Sequence, residues 1–179
     1  MKIYKKVIPM DLDRYFLELA LEEAEIAFNE GTIPIGATLV DHEGNIISKG
    51  RNRVFTKLDP SCHAEIDVIR QAGVKLLNPQ YKNRCTLYST VEPCPMCSGA
   101  LILADISRAV WALSDDYLGA LRIMKEGKHF RHKFDKIAIT PMPYRDLAIR
   151  SQELHRKWDE RRGVKYLVSD IAGEVESKK

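Results

Sequence analysis

Three side chains suited to one metal ion lie in two separate motifs, and any fold of this chain must bring them together. His63 stands in His63-Ala64-Glu65, and about thirty residues later comes Pro93-Cys94-Pro95-Met96-Cys97. One imidazole and two thiolates form a three-ligand site for a borderline-soft metal, with one zinc ion per chain the expected occupant. Three protein ligands leave a tetrahedral ion one open position, which a catalytic zinc uses for water. Glu65, two residues beyond the histidine, is placed to serve that water without binding the metal. A lone C-x-x-C also fits a redox dithiol, but the His-x-Glu partner argues for metal. A closed structural site would need a fourth ligand from Cys62, Cys85 or another histidine. Cys62 and Cys85 are read as core cysteines. His42, His129, His132 and His155 fall on turns and charged segments and are read as solvated, with His129 to His132 the alternative lining of a substrate mouth.

The 179 residues are 45% hydrophobic and carry a formal net charge of +3. That length and composition suit a single domain, with a core expected over about residues 10–163 and a frayed tail over 164–179. The charge balance of 28 basic against 25 acidic residues is too mild to imply nucleic-acid binding by itself. Met1 to Pro9 has no apolar segment behind it to make a secretory signal. No stretch approaches the roughly eighteen apolar residues of a membrane helix. Four cysteines, two of them in a C-x-x-C, point to metal binding in a reducing compartment, so a cytoplasmic location is expected.

Hydrophobic periodicity predicts a helix over 11–30, opened by an aspartate and closed by Gly31. Strands over 35–40 and 46–49 flank turn chemistry at Asp41-His42-Glu43-Gly44-Asn45, which makes an antiparallel hairpin. Further helices are expected over 62–72, 94–104, 117–126 and 144–162. Strands are expected over 85–90, 108–113 and 136–140. The last two strands are separated by more than twenty residues with a helix among them, which favours parallel pairing. The result is an α/β sandwich with a mixed sheet. Both motifs fall at helix starts, where unpaired amides and the helix dipole favour thiolate at Cys94 and Cys97.

The chain at this point resembles the cytidine deaminase-like superfamily, in the branch of guanine, cytosine and tRNA adenosine deaminases. The likeness spans roughly residues 12–120. It is carried by Ile33-Pro34-Ile35-Gly36-Ala37, Gly50-Arg51-Asn52, Asp59-Pro60, the His63 motif, Thr86-Leu87-Tyr88, Glu92 to Cys97 and Ser98-Gly99-Ala100. H-x-E with P-C-x-x-C is the signature of zinc nucleobase deaminases. The resemblance implies a three-layer α/β/α sandwich around a five-stranded mixed sheet. It implies zinc on His63, Cys94 and Cys97, proton transfer by Glu65, and substrate contacts from Asn52 and the Ala64 main chain. Glu92 before the Pro-Cys is a further substrate-side candidate, and a homodimer is the expected assembly.

The substrate is less determined. The region beyond Ala120 departs from the tRNA enzymes, and Glu153, Asp159 and Glu160 interleave with Arg156-Lys157-Trp158 and Arg161-Arg162 on the last helix. A solvated, ion-paired helix follows, with Trp158 in core packing. A free nucleobase or nucleoside is therefore placed first, a purine such as guanine ahead of cytosine. The alternatives are tRNA adenosine, converted to inosine, and then a non-catalytic zinc-containing binding module.

Overall fold

Capping and a buried apolar stripe define the first helix. In the computed structural model, which describes residues 11–126 and 131–163, α1 (Leu12–Asn29) starts where the Asp11 carboxylate accepts the Arg14 N–H. Phe16, Leu17, Ala20, Leu21, Ala24 and Ala27 recur three or four apart and are all buried. After the turn at Gly31, β1 (Gly36–Val40) runs beneath the helix so closely that a Cβ on Gly36 would lie 2.0 Å from the Ala20 carbonyl oxygen. Glycine at position 36, which has no side chain, lets the α1 backbone sit at this height.

The chain then turns at Asp41, whose Oδ1 accepts the N–H groups of Glu43 and Asn45 at 2.9 Å, and returns as β2 (Ile46–Arg51). With β3 (Thr86–Val91), β4 (Arg108–Leu113) and β5 (Ala138–Pro141) these form a sheet of order β2-β1-β3-β4-β5. β1 is antiparallel to both neighbours, with Thr38 opposite Lys49 and Tyr88. β3, β4 and β5 are parallel, with Ser89 opposite Trp111 and Val110 opposite Thr140. The parallel half needs crossovers, and helices supply them.

Alternation along the strands builds two cores. Leu39, Leu87, Ala109 and Trp111 face one way, toward the layer of α3 (Ala64–Ala72), α4 (Pro95–Leu103), α5 (Leu121–Glu126) and α6 (Arg131–Phe134). Val40, Tyr88, Val110 and Ala112 face the other, against α1 and α7 (Arg145–Arg162). This is the expected three-layer sandwich. A polar clasp crosses the second core. Asp13 of α1 accepts from the Tyr88 hydroxyl at 2.7 Å and from both Arg108 nitrogens at 2.7 and 2.6 Å, while Arg108 also donates to Thr140.

The structure differs from the sequence reading in several places. A short α2 (Val54–Lys57), a 3-10 turn (Gly73–Leu77) and α6 are too brief to leave a hydrophobic period. The helix expected from Tyr117 begins only at Leu121, because the Asp115 carboxylate accepts the N–H groups of Tyr117 and Leu118 and holds them in a turn. Cys85 and Cys62 are both buried as expected, and the Cys62 thiol also meets the Asp59 carboxylate at 3.2 Å and the Arg70 guanidinium at 3.6 Å. His42 and His132 are exposed, and His129 lies outside the described residues, as does the expected tail. His155 is the reverse of the expectation, at 2% exposure. No helix among the described residues is long and apolar enough to cross a membrane.

Candidate active site

Two of the three metal-ligating candidates are themselves helix N-caps. His63 caps α3 and Cys94 caps α4, both with extended backbone, so each side chain projects from a helix mouth. Pro95 occupies the first turn of α4, where its missing N–H leaves nothing unsatisfied, and places Cys97 one turn along. His63 Nδ1 lies 3.6 Å from the Cys94 sulfur and 3.6 Å from the Cys97 sulfur. A tetrahedral zinc, with bonds of about 2.3 Å to sulfur and 2.0–2.1 Å to nitrogen, sets an S···N separation of about 3.6 Å. The three ligand atoms lie within 4.8 Å of one another, and these residues form the metal-competent cluster found among the described residues. The site fits zinc. Cys94 raises the His63 pKa most, against burial, followed by Glu65 and last by the Pro60 backbone.

Electrostatics prepare the ligands. The Cys97 thiol donates to Cys94, and with the His63 imidazole and the Cys97 backbone N–H it lowers the Cys94 pKa to about 4. These contacts favour at Cys94 the thiolate form that zinc binds. Cys97, which holds the proton of the pair, is pushed upward by that bond and by burial.

A pocket opens over this centre at the carboxyl ends of β3 and β4, lined by Ile35, Glu65, Val91, Glu92, Asp115, Leu118 and His155 as well as His63 and Cys94. Glu65 is 3% exposed, and burial, followed by the negative charge at Cys94, raises its pKa above the ordinary carboxylate value. Ala64, fully buried, is the first residue of α3. Asn52 is fully buried at the pocket's border: its N–H donates to the carbonyl of Ile35, which lines the pocket. Its Oδ1 accepts from the Thr32 hydroxyl and the Val54 N–H, while its Nδ2 has no partner among the described residues. Glu92 faces the pocket with its carboxylate already engaged, accepting from Arg122 Nε at 2.7 Å and from the Arg122 N–H at 3.2 Å. It ties the Asp115–Leu118 turn to the metal loop; a Cβ on Gly119 would come 2.7 Å from it.

Asp115 and His155 were not anticipated at the site. His155 was legible in principle, since Leu147, Ser151, Leu154, His155 and Trp158 make a helical stripe that the surrounding charges obscure.

The cytidine and deoxycytidylate deaminase zinc-binding region matches residues 10–113, more than half the chain and all of the metal motifs. The chain belongs to this family. This deaminase is a hydrolytic enzyme acting on C–N bonds, and His63, Cys94 and Cys97 are positioned to bind its one zinc. A tRNA-specific adenosine deaminase of Aquifex aeolicus (strain VF5) is 45% identical over 107 residues, 60% of this chain and 70% of that protein. A structure from studies of A-to-I editing by tRNA:A34 deaminases matches at 34% identity with a TM-score of 0.63, covering 72% of this deaminase and 97% of that chain. The X-ray structure of guanine deaminase from Bacillus subtilis matches at 34% identity with a TM-score of 0.52, covering 64% and 76%.

Proposed function

We propose that this deaminase converts adenosine to inosine in tRNA. The observation that carries the reading is the 45% identity to a tRNA-specific adenosine deaminase over 107 residues. It reverses the order drawn from sequence, where the mild net charge and the acidic residues of α7 placed a free purine first. Those acidic residues are only part of the surface. At the end of α7, Arg162 lies 4.2 Å from the centroid of the Phe55 ring, which in turn meets Trp158 at 5.6 Å. The Phe55 ring is 38% exposed beside that guanidinium, a surface pairing that suits an unstacked RNA base.

Bound by His63, Cys94 and Cys97, zinc supplies a Lewis acid that brings the pKa of a water to about 7. Glu65 takes the proton of the attacking water and delivers it to the adenine ring nitrogen beside the amino-bearing carbon. It then passes a proton to the departing ammonia. Its raised pKa suits a group that must both accept and donate near neutral pH. Asn52 Nδ2, buried without a partner among the described residues, is a donor held for the substrate. The Ala64 main chain holds the ring edge at the start of α3. Glu92 acts on the substrate side through the turn that it braces. The active unit is a single domain that works as a homodimer, which sedimentation of the zinc-loaded protein tests.

The deciding assay incubates the zinc-loaded chain with unmodified tRNA, guanine, cytosine, adenine and their nucleosides, scoring ammonia release and inosine. Inosine in tRNA is the expected result. Release from guanine alone would return the free-purine reading, and bound zinc with no release from any substrate would make the chain a binding module.

A further inference from the structure

His155 reaches the pocket from the layer opposite the metal-binding helices. Ser151, one turn earlier on α7, fastens that helix to the end of β3 by donating its hydroxyl to the Thr90 carbonyl at 2.9 Å. This bond places the imidazole among the residues lining the pocket. The ring is 2% exposed, and its Nδ1 lies 3.0 Å from the Ser151 carbonyl oxygen. A carbonyl only accepts, so Nδ1 carries the hydrogen. Burial lowers the His155 pKa against the opposing charges of Asp159 and Asp115, which favours the neutral ring whose Nε2 is an acceptor. That atom is fully buried and has no hydrogen-bond partner among the described residues. A buried acceptor left without a protein partner is costly, and at the wall of a pocket a substrate donor can satisfy it.

We propose that His155 is a specificity-determining residue whose Nε2 accepts a hydrogen bond from an N–H or O–H group of the substrate other than the departing amino group. The inference rests on the proposed tRNA reading for the identity of that donor. Adenine has no ring N–H when joined to ribose, and its amino group leaves. Within an RNA chain the 3′ and 5′ oxygens are esterified. The 2′-hydroxyl is then the donor that an adenosine has left to give, so the acceptor selects ribose over deoxyribose. A free purine would meet the same acceptor with a ring N–H.

Steady-state kinetics of the zinc-loaded full chain separate these cases, using tRNA with adenosine or 2′-deoxyadenosine at the edited position, and guanine. Loss of one hydrogen bond of about 1.4 kcal/mol is a tenfold change. The wild type is expected to show a KM about tenfold higher for the deoxy substrate. His155→Phe should raise KM for the adenosine substrate about tenfold, leave kcat within twofold and zinc content unchanged, and abolish the ribose preference. His155→Gln, whose amide oxygen still accepts, should return KM to within about threefold of wild type. Guanine turnover with the same response to both variants, and inert tRNA, would support the acceptor role while overturning the tRNA reading. Turnover of tRNA with no ribose preference in the wild type overturns the role of His155 even if His155→Phe does not fold. Folded variants with unchanged KM, or a His155→Gln as impaired as His155→Phe, overturn it too. Turnover of none of these substrates overturns both readings.

Discussion

Cys94 and Cys97 differ in what each needs from its surroundings, and the metal removes the difference. The surroundings lower the Cys94 pKa and raise that of Cys97. Metal binding therefore releases a proton, since both sulfurs ligate as thiolates. Replacing Cys94 or Cys97 by alanine is expected to reduce zinc from one ion per chain to a small fraction, measured by atomic absorption on gel-filtered protein. Glu65→Ala answers a separate question. It should keep the full zinc content while kcat falls by about 10²–10⁴, the range for general acid–base groups. Comparable ammonia release from that variant would remove Glu65 from the mechanism. These residues were legible in sequence because a metal site depends on residue type and local spacing. Asp115 and His155 were not, because each enters the pocket only when β4 and α7 are laid beside β3.

At the level of elements, local signals were read well where the chain specifies its own boundary. α1 has its aspartate cap, the β1–β2 hairpin has its Asp41 turn, and α7 stops at Gly163 with φ 65°. Elements set by tertiary contact were missed, as at Tyr117, where a carboxylate two residues earlier captures the N–H that a helix would use. The face a helix buries was similarly hidden in α7, whose Arg156–Glu160 pair at 2.7 Å is the surface chemistry expected of a solvated helix. Its opposite stripe carries the site residue. The approach of α1 to β1 gives a sharp test of packing. Gly36→Ala drives a methyl into the Ala20 carbonyl and the Ala24 N–H, which a backbone on each side cannot easily relieve. A loss of about 1–3 kcal/mol is expected in urea unfolding, the usual cost of overpacking, with zinc content unchanged. Stability equal to wild type would show that α1 can lift from the sheet.

Across the whole molecule, the clasp of Asp13, Tyr88, Arg108 and Thr140 joins the first helix to three strands. The hydrogen bonds from Arg108 hold the Asp13 pKa below its ordinary 3.8, against the opposing effect of burial. A carboxylate depressed in the folded state stabilises above its unfolded pKa, and that contribution is lost as pH falls through the folded value. Unfolding free energy should therefore fall more steeply with acid below about pH 4 in the wild type than in Asp13→Asn, as followed by circular dichroism in urea. Parallel curves would show that the clasp contributes nothing through that proton. The bond from Ser151 to Thr90 has a consequence of a different kind. During synthesis the metal ligands and all five strands leave the ribosome before any part of α7. The metal-ligating residues are therefore made early, whereas His155, which completes the pocket wall, is made only with α7. Competence is thus tied to completion: a product cut short before α7 would keep the three metal-ligating residues but lack both His155 and the Leu147 and Leu154 side chains of the second core.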